Sequence, residues 1–211
     1  MDYPLVEIFE SLQGEGRNMG RPCVFLRFAG CNLACPWCDT DCTARFTLSL
    51  DDLVAEVKRC RAKSVVLTGG EPTLVGEMPE LIAALKREGY WIAVETNGTC
   101  DADWLGFVDY VACSPKAEFP ERLALTRADE VRVVASSEAA VAFCRKVRRQ
   151  IVATDYYVSP CDRDGAMDFA LAKSVLGQLE GWSLSVQLHK ILLEFTHFLT
   201  VKTHLTPMNK G

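Results

Sequence analysis

The chain has 211 residues, a formal net charge of −5, 49% hydrophobic and 24% charged residues. That hydrophobic share supports a packed core and excludes a disordered or collagen-like chain, while the acidic balance offers no broad basic surface for nucleic acid or anionic lipid. A single domain over 1–211 is expected in the cytoplasm. Met1–Glu7 carries no basic stretch ahead of an apolar run, and no apolar run approaches the roughly 20 residues a spanning helix needs, so no membrane partner is expected.

In chain order, Glu7–Gly16 reads as a short apolar strand running into glycines that present Gln13 and Glu15. Val24–Phe28 is a second strand, and Ser49 caps a helix from about Asp51 to Arg61 with Leu53, Val54, Val57 and Cys60 on one face. Ser64–Thr68 is a near-continuous apolar strand ended by Gly69-Gly70. Pro79 opens a helix through Leu81, Ile82 and Leu85 that Gly89 closes, and strand Trp91–Glu95 stops at Asn97-Gly98. Strands follow at Val108–Ala112, Val131–Ala135, Tyr156–Ser159 and Ser183–Gln187, with helices at Ser137–Arg148 and Asp168–Leu179.

Strands alternating with helices predict a mostly parallel α/β sheet, too short for a full eight-unit barrel near 250 residues. A partial barrel or an open sheet remains. Ligands of such folds bind at the carboxyl ends of the strands. Those ends read Arg27, Thr68–Pro72, Glu95–Gly98, Ser114-Pro115-Lys116, Ser159-Pro160 and Gln187–Lys190.

Ten cysteines in a reducing compartment are thiols, ligands or catalytic groups rather than staples. Cys60 and Cys113 read as small core residues. Cys31, Cys35 and Cys38 differ in kind, because Gly30 and Pro36 keep their segment out of regular structure and a loop can wrap three sulfurs around one centre. A structural zinc site wants four ligands, usually from two separated pairs, and no second CxxC exists. A cubane iron–sulfur cluster on three cysteines leaves one iron open for a ligand. At the other end of the second strand, an amide (Gln13) beside a carboxylate (Glu15) suits a guanidine-like edge, and Arg27 could grip a carboxylate bidentately. The same turn also reads as an ordinary surface turn.

The CxxxCxxC spacing with Trp37 before the last cysteine resembles the radical S-adenosylmethionine superfamily. The resemblance implies a partial (β/α)6-type barrel, a [4Fe–4S] cluster on Cys31, Cys35 and Cys38, and S-adenosylmethionine on its open iron. Thr68–Pro72 then matches the segment, with Gly70 and Glu71, that holds the cofactor's amino group. The runs Ser11–Gly16, Arg27–Leu33, Cys38-Asp39-Thr40 and Ser185–Lys190 further resemble the 7-carboxy-7-deazaguanine synthase family over about residues 5–190. That likeness implies a radical ring contraction of 6-carboxy-5,6,7,8-tetrahydropterin with loss of ammonia, in the pathway to queuosine. It assigns Leu12, Gln13, Gly14, Glu15, Arg27, Thr68 and His189 to substrate. To S-adenosylmethionine it assigns Trp37, Cys38, Asp39, Gly70, Glu71, Ser114, Pro115, Lys116, Ser159, Pro160, Cys161 and Asp162, and to Mg²⁺ it assigns Thr40. A flavodoxin or ferredoxin as electron donor and a homodimer are implied as well. Two departures stand out: Ser159 replaces a glutamine of relatives, and the chain continues past Lys190 without a match.

Overall fold

The computed structural model describes residues 2–163, 165–191 and 201–202, the side chains of His189, Val201 and Lys202 excepted. Strand β1 (Asp2–Leu12) pairs antiparallel with β2 (Pro22–Phe28) and with the short β3 (Phe46–Ser49). From β2 the sheet continues in parallel through β4 (Ser64–Gly69), β5 (Trp91–Thr96), β6 (Tyr110–Cys113), β7 (Glu130–Ala135), β8 (Asp155–Pro160) and β11 (Ser183–Leu184). A two-stranded ribbon, β9 (Asp162–Arg163) with β10 (Ala166–Met167), interrupts the path to β11. Strand β12 (Val201–Lys202), in the stretch where family likeness stops, pairs antiparallel with Phe9 and Glu10 of β1.

Helices α1 (Leu50–Arg59), α2 (Met78–Arg87), α3 (Ala140–Gln150) and α4 (Phe169–Leu176) form where 3.6-residue periodicity lines up apolar side chains. Ser49 caps α1 by accepting from the Asp52 N–H at 3.2 Å, and Gly89, at φ +79°, ends α2 in the left-handed conformation. Cys60 lies just past the end of α1, half-buried, rather than on its apolar face. The crossovers after β5 and β6 carry 3₁₀ turns (Asp103–Phe107, Pro120–Arg122) instead of α-helices. The last predicted strand pairs only at Ser183–Leu184, and residues 188–191 form the short helix α5 (Leu188–Ile191).

Alternation along the strands divides the sheet into two faces. Val24, Leu26, Val65, Leu67, Ile92, Val94, Val111, Val131, Val133 and Val158 face the helices and are fully or almost fully buried. Each such side chain contributes about 1.5–3 kcal/mol. The opposite face carries Phe9, Cys23, Phe25, Val66, Ala93, Tyr110 and Ala112 low down, and polar side chains beyond them.

That face is concave. Glu15 follows β1 by three residues, yet its carboxylate lies 3.0 Å from Arg132 on β7. Five strand spacings separate β1 from β7, roughly 24 Å across a flat sheet, which three extended residues (about 10 Å) would bridge only with both side chains stretched to their limit along one line. The sheet therefore curls into a partial barrel, with helices outside and a polar lumen inside.

Candidate active site

Two segments enter the lumen from opposite ends. The loop 29–45 leaves the carboxyl end of β2 and holds the three clustered cysteines. The turn 13–21 leaves β1 beside Pro22, at the amino end of the parallel strands, and runs across the concave face.

The cysteine loop is closed at its neck by backbone. The Gly30 N–H donates to the Cys42 carbonyl at 2.9 Å, and the Glu71 N–H donates to the Gly30 carbonyl at 2.9 Å. A Cβ on Gly70 would lie 1.8 Å from the Gly30 oxygen, so Gly70 is required where β4 passes under the loop. Gly69, at φ +131°, is pressed in the same way against Phe28. The loop's body is tied to the next strand ends by side chains. Trp37 Nε1 donates to Glu118 Oε1 at 2.7 Å, and the Lys116 ammonium lies 5.2 Å from the Trp37 ring while donating to Ser114 Oγ at 2.8 Å. Asn32 donates to Thr99 at 2.8 Å and accepts from Asn97 at 3.0 Å.

Cys31 and Cys38 are exposed, Cys35 is half-buried, and all three are free thiols. Burial raises the Cys35 thiol, Lys116 opposes that, and the neighbouring Cys38, Glu118 and Cys31 add to it. The three sulfurs thus share one neighbourhood. Three free thiols in one loop suit a polynuclear cluster, whose soft irons take thiolates one per corner.

Asp39 and Asp162 meet on the Lys190 ammonium, at 2.6 and 2.7 Å. Burial would raise Asp39, but the hydrogen bond and charge of Lys190 bring it below the usual carboxylate value; the hydrogen bond from Lys190 likewise lowers Asp162. The Thr40 hydroxyl donates to Asp39 Oδ1 at 3.3 Å, which leaves its lone pairs outward. Ser159 is 3% exposed, and its Oγ has no hydrogen-bond partner among the described residues. Pro160 and Cys161 beside it are buried.

Arg27 and Thr68 stand in register on neighbouring strands, both half-buried. Arg27 Nε donates to Glu7, its cross-strand neighbour, at 2.8 Å, and among the described residues no bond engages its two Nη groups. Those two groups can serve an acceptor.

Three of the polar side chains expected at the site are held by protein partners. Glu71 is fully buried, its Oε1 accepting from Thr73 N–H, Thr73 Oγ1 and Thr96 Oγ1, and its Oε2 from the Asn97 N–H at 2.7 Å. Its work is to join the end of β5 to the turn after β4. Gln13 and Glu15 are likewise engaged by protein groups. Gln13, 8% exposed, accepts the Gly14 and Glu15 N–H groups and donates to Glu95 Oε1 at 2.8 Å. Glu15 binds Arg132 through one oxygen and Gln187 through the other. Gly14 accepts from the Leu188 N–H at 2.9 Å, and Leu12, half-buried, ends β1. His189 follows on α5, but its side chain lies outside the described residues.

Sequence reasoning gave no role to Arg132, Glu130, Tyr110 or Glu118. The available signal was a pair of charges, Glu130 and Arg132, spaced by two in an otherwise apolar strand. That spacing aims both at one face, and the face is the lumen.

Residues 26–157 match the Radical SAM superfamily. A 7-carboxy-7-deazaguanine synthase of Neisseria meningitidis serogroup B is 45% identical over 198 residues, covering 89% of this chain and 92% of that protein. One from Haemophilus influenzae is 40% identical over 200 residues, covering 90% and 93%. The fold is similar to the crystal structure of QueE from Escherichia coli, with a TM-score of 0.71 at 24% identity over 90% of this chain and 95% of that one.

Proposed function

The chain belongs to the 7-carboxy-7-deazaguanine synthases of the Radical SAM superfamily, and from that premise we propose how its residues divide the work. The enzyme converts 6-carboxy-5,6,7,8-tetrahydropterin, a small molecule, into 7-carboxy-7-deazaguanine with release of ammonia, a step of queuosine biosynthesis. A [4Fe–4S] cluster with S-adenosylmethionine supplies the 5′-deoxyadenosyl radical that starts the rearrangement.

In our reading, one radical SAM domain spans 1–211. Cys31, Cys35 and Cys38 hold the cluster, since three free thiols share one loop whose neck backbone hydrogen bonds close. The S-adenosylmethionine side is lined by the Trp37–Asp39 stretch, by the Gly70 backbone, by Ser114-Pro115-Lys116 and by Ser159–Asp162. The buried, unsatisfied Ser159 hydroxyl fits a polar ligand group there. Arg27 takes the pterin carboxylate through its Nη edge, Thr68 stands beside it, and Gln13, Gly14 and Glu15 close the far side with Leu12 and His189. Thr40 offers its lone pairs to Mg²⁺, which keeps most of its waters. A flavodoxin or ferredoxin delivers the electron, and the enzyme works in the cytoplasm as a homodimer.

What supports this most is the register of Arg27 with Thr68 directly beneath the neck of the three-thiol loop. Anaerobic incubation of the reconstituted enzyme with reductant, S-adenosylmethionine and the carboxypterin should yield 7-carboxy-7-deazaguanine. Arg27→Gln should raise KM for the pterin by about tenfold or more while leaving iron content unchanged. Formation of 5′-deoxyadenosine without product in the wild type would overturn the substrate, and an unchanged KM in the variant would overturn the role of Arg27.

A further inference from the structure

We propose that Arg132 is the positioning residue of the substrate half of the site, acting through Glu95 and Glu15 to seat the 13–17 turn in the lumen. This rests on the assignment of that turn to substrate.

Arg132 is 3% exposed and meets three carboxylates. Its Nη1 donates to Glu15 at 3.0 Å, its Nη2 donates to Glu95, and its Nε lies 3.0 Å from Glu130, paired in charge though angled away from a hydrogen bond. Each carboxylate turns its other oxygen elsewhere. Glu95 Oε1 accepts from Gln13, and Glu15 Oε1 accepts from Gln187 at 2.8 Å. Glu130 Oε2 accepts from the Arg17 N–H at 2.9 Å and from the Tyr110 hydroxyl at 2.8 Å. Gln13, Glu15 and Arg17 are therefore each one carboxylate from, or directly on, the same guanidinium.

No regular strand pairing carries the turn past Leu12, so this hub supplies most of its attachment to β5 and β7. The turn also sits hard against the hub: a Cβ on Gly16 would lie 2.0 Å from Glu130 Oε1. The planar fork matters, because its two Nη groups serve two acceptors in fixed directions while Nε faces a third carboxylate, which the point charge of lysine cannot do. Removing the cation would leave Glu15, Glu95 and Glu130 to repel one another in a partly buried space, and the turn, which lies outside the strand pairing though Ser185, Gln187, Leu188 and Asp155 also hold it, would give first.

The test compares wild-type, Arg132→Met, Arg132→Lys and Glu15→Gln holoenzymes. Arg132→Met should raise KM for the carboxypterin by about tenfold or more, with a smaller change in kcat. Amide hydrogen exchange at Gly14–Arg17 should quicken, while iron content and 5′-deoxyadenosine formation without pterin stay at wild-type levels. Arg132→Lys should recover part of both effects. If Arg132→Met does not fold, Glu15→Gln should give the same two changes in smaller measure. Unchanged KM, or a raised KM with unchanged exchange at the turn, would overturn the proposal. A wild-type enzyme that fails to convert the pterin would sink the substrate assignment instead, and exchange alone would then judge Arg132.

Discussion

Gly70 and Glu71 adjoin in sequence and serve one joint by different means. Gly70 does it by lacking a side chain, since any Cβ would strike the Gly30 carbonyl. Gly70→Ala should cost about 1–3 kcal/mol, because backbone on both sides leaves nothing flexible to yield. Thermal unfolding and iron bound per chain check this, and both should fall together. Glu71 does it by saturation, four donors on one buried carboxylate. From sequence, the glycines could be read because close approach has a signature, whereas the direction of a glutamate side chain has none. The same limit explains Gln13 and Glu15. Their presence in the lumen was legible from the motif, but their partners, Glu95, Arg132 and Gln187, come from segments 80 or more residues away.

Elements were legible where periodicity and caps agree. The start of α1 follows from Ser49, and its apolar stripe from Leu53 and Val57. Ser49→Ala should lower stability by about 1 kcal/mol, read as a shifted urea midpoint at constant slope, with turnover unchanged because the cap lies on the helical layer outside the barrel. Elements without such signals were not anticipated: β3 and β12, four and two residues long, owe their pairing to β1, distant in sequence, while β9 and β10, two residues each, pair only with one another. The β11 region misled for a related reason. Ser183–Gln187 alternates like a strand, yet regular pairing stops at Leu184: the Ser185 N–H still reaches the Val158 carbonyl at 3.0 Å, while its hydroxyl accepts the Gly16 N–H at 3.0 Å.

At the scale of the whole molecule, the lumen is unequal in charge, with Arg27 on one wall and Glu15, Glu95 and Glu130 around Arg132 on the other. Burial lifts the Glu130 carboxyl above its ordinary 4.5; the Arg17 N–H and Tyr110 oppose this, while Glu15 and Asp155 reinforce it. A carboxyl raised on folding contributes stability that is complete below the unfolded value and is lost as pH rises through the folded one. Melting temperatures of wild type and Glu130→Gln, followed from about pH 4 to 8, should therefore diverge, the wild type losing ground to the variant as pH rises. A constant gap would mean that Glu130 keeps an ordinary affinity for its proton. The neck of the cysteine loop bears on a different matter, how such an enzyme survives oxygen. In small zinc domains the metal drives folding, so losing it unfolds the chain. Here backbone bonds from Gly30 to Cys42 and from Glu71 to Gly30 close the loop without metal, and the entropy of closure is met by the sheet. Stripping the iron anaerobically should leave the far-ultraviolet dichroism intact, and iron with sulfide should restore the cluster without a refolding phase. An oxidised cluster on such a frame can be rebuilt in place, so its lifetime need not limit that of the protein.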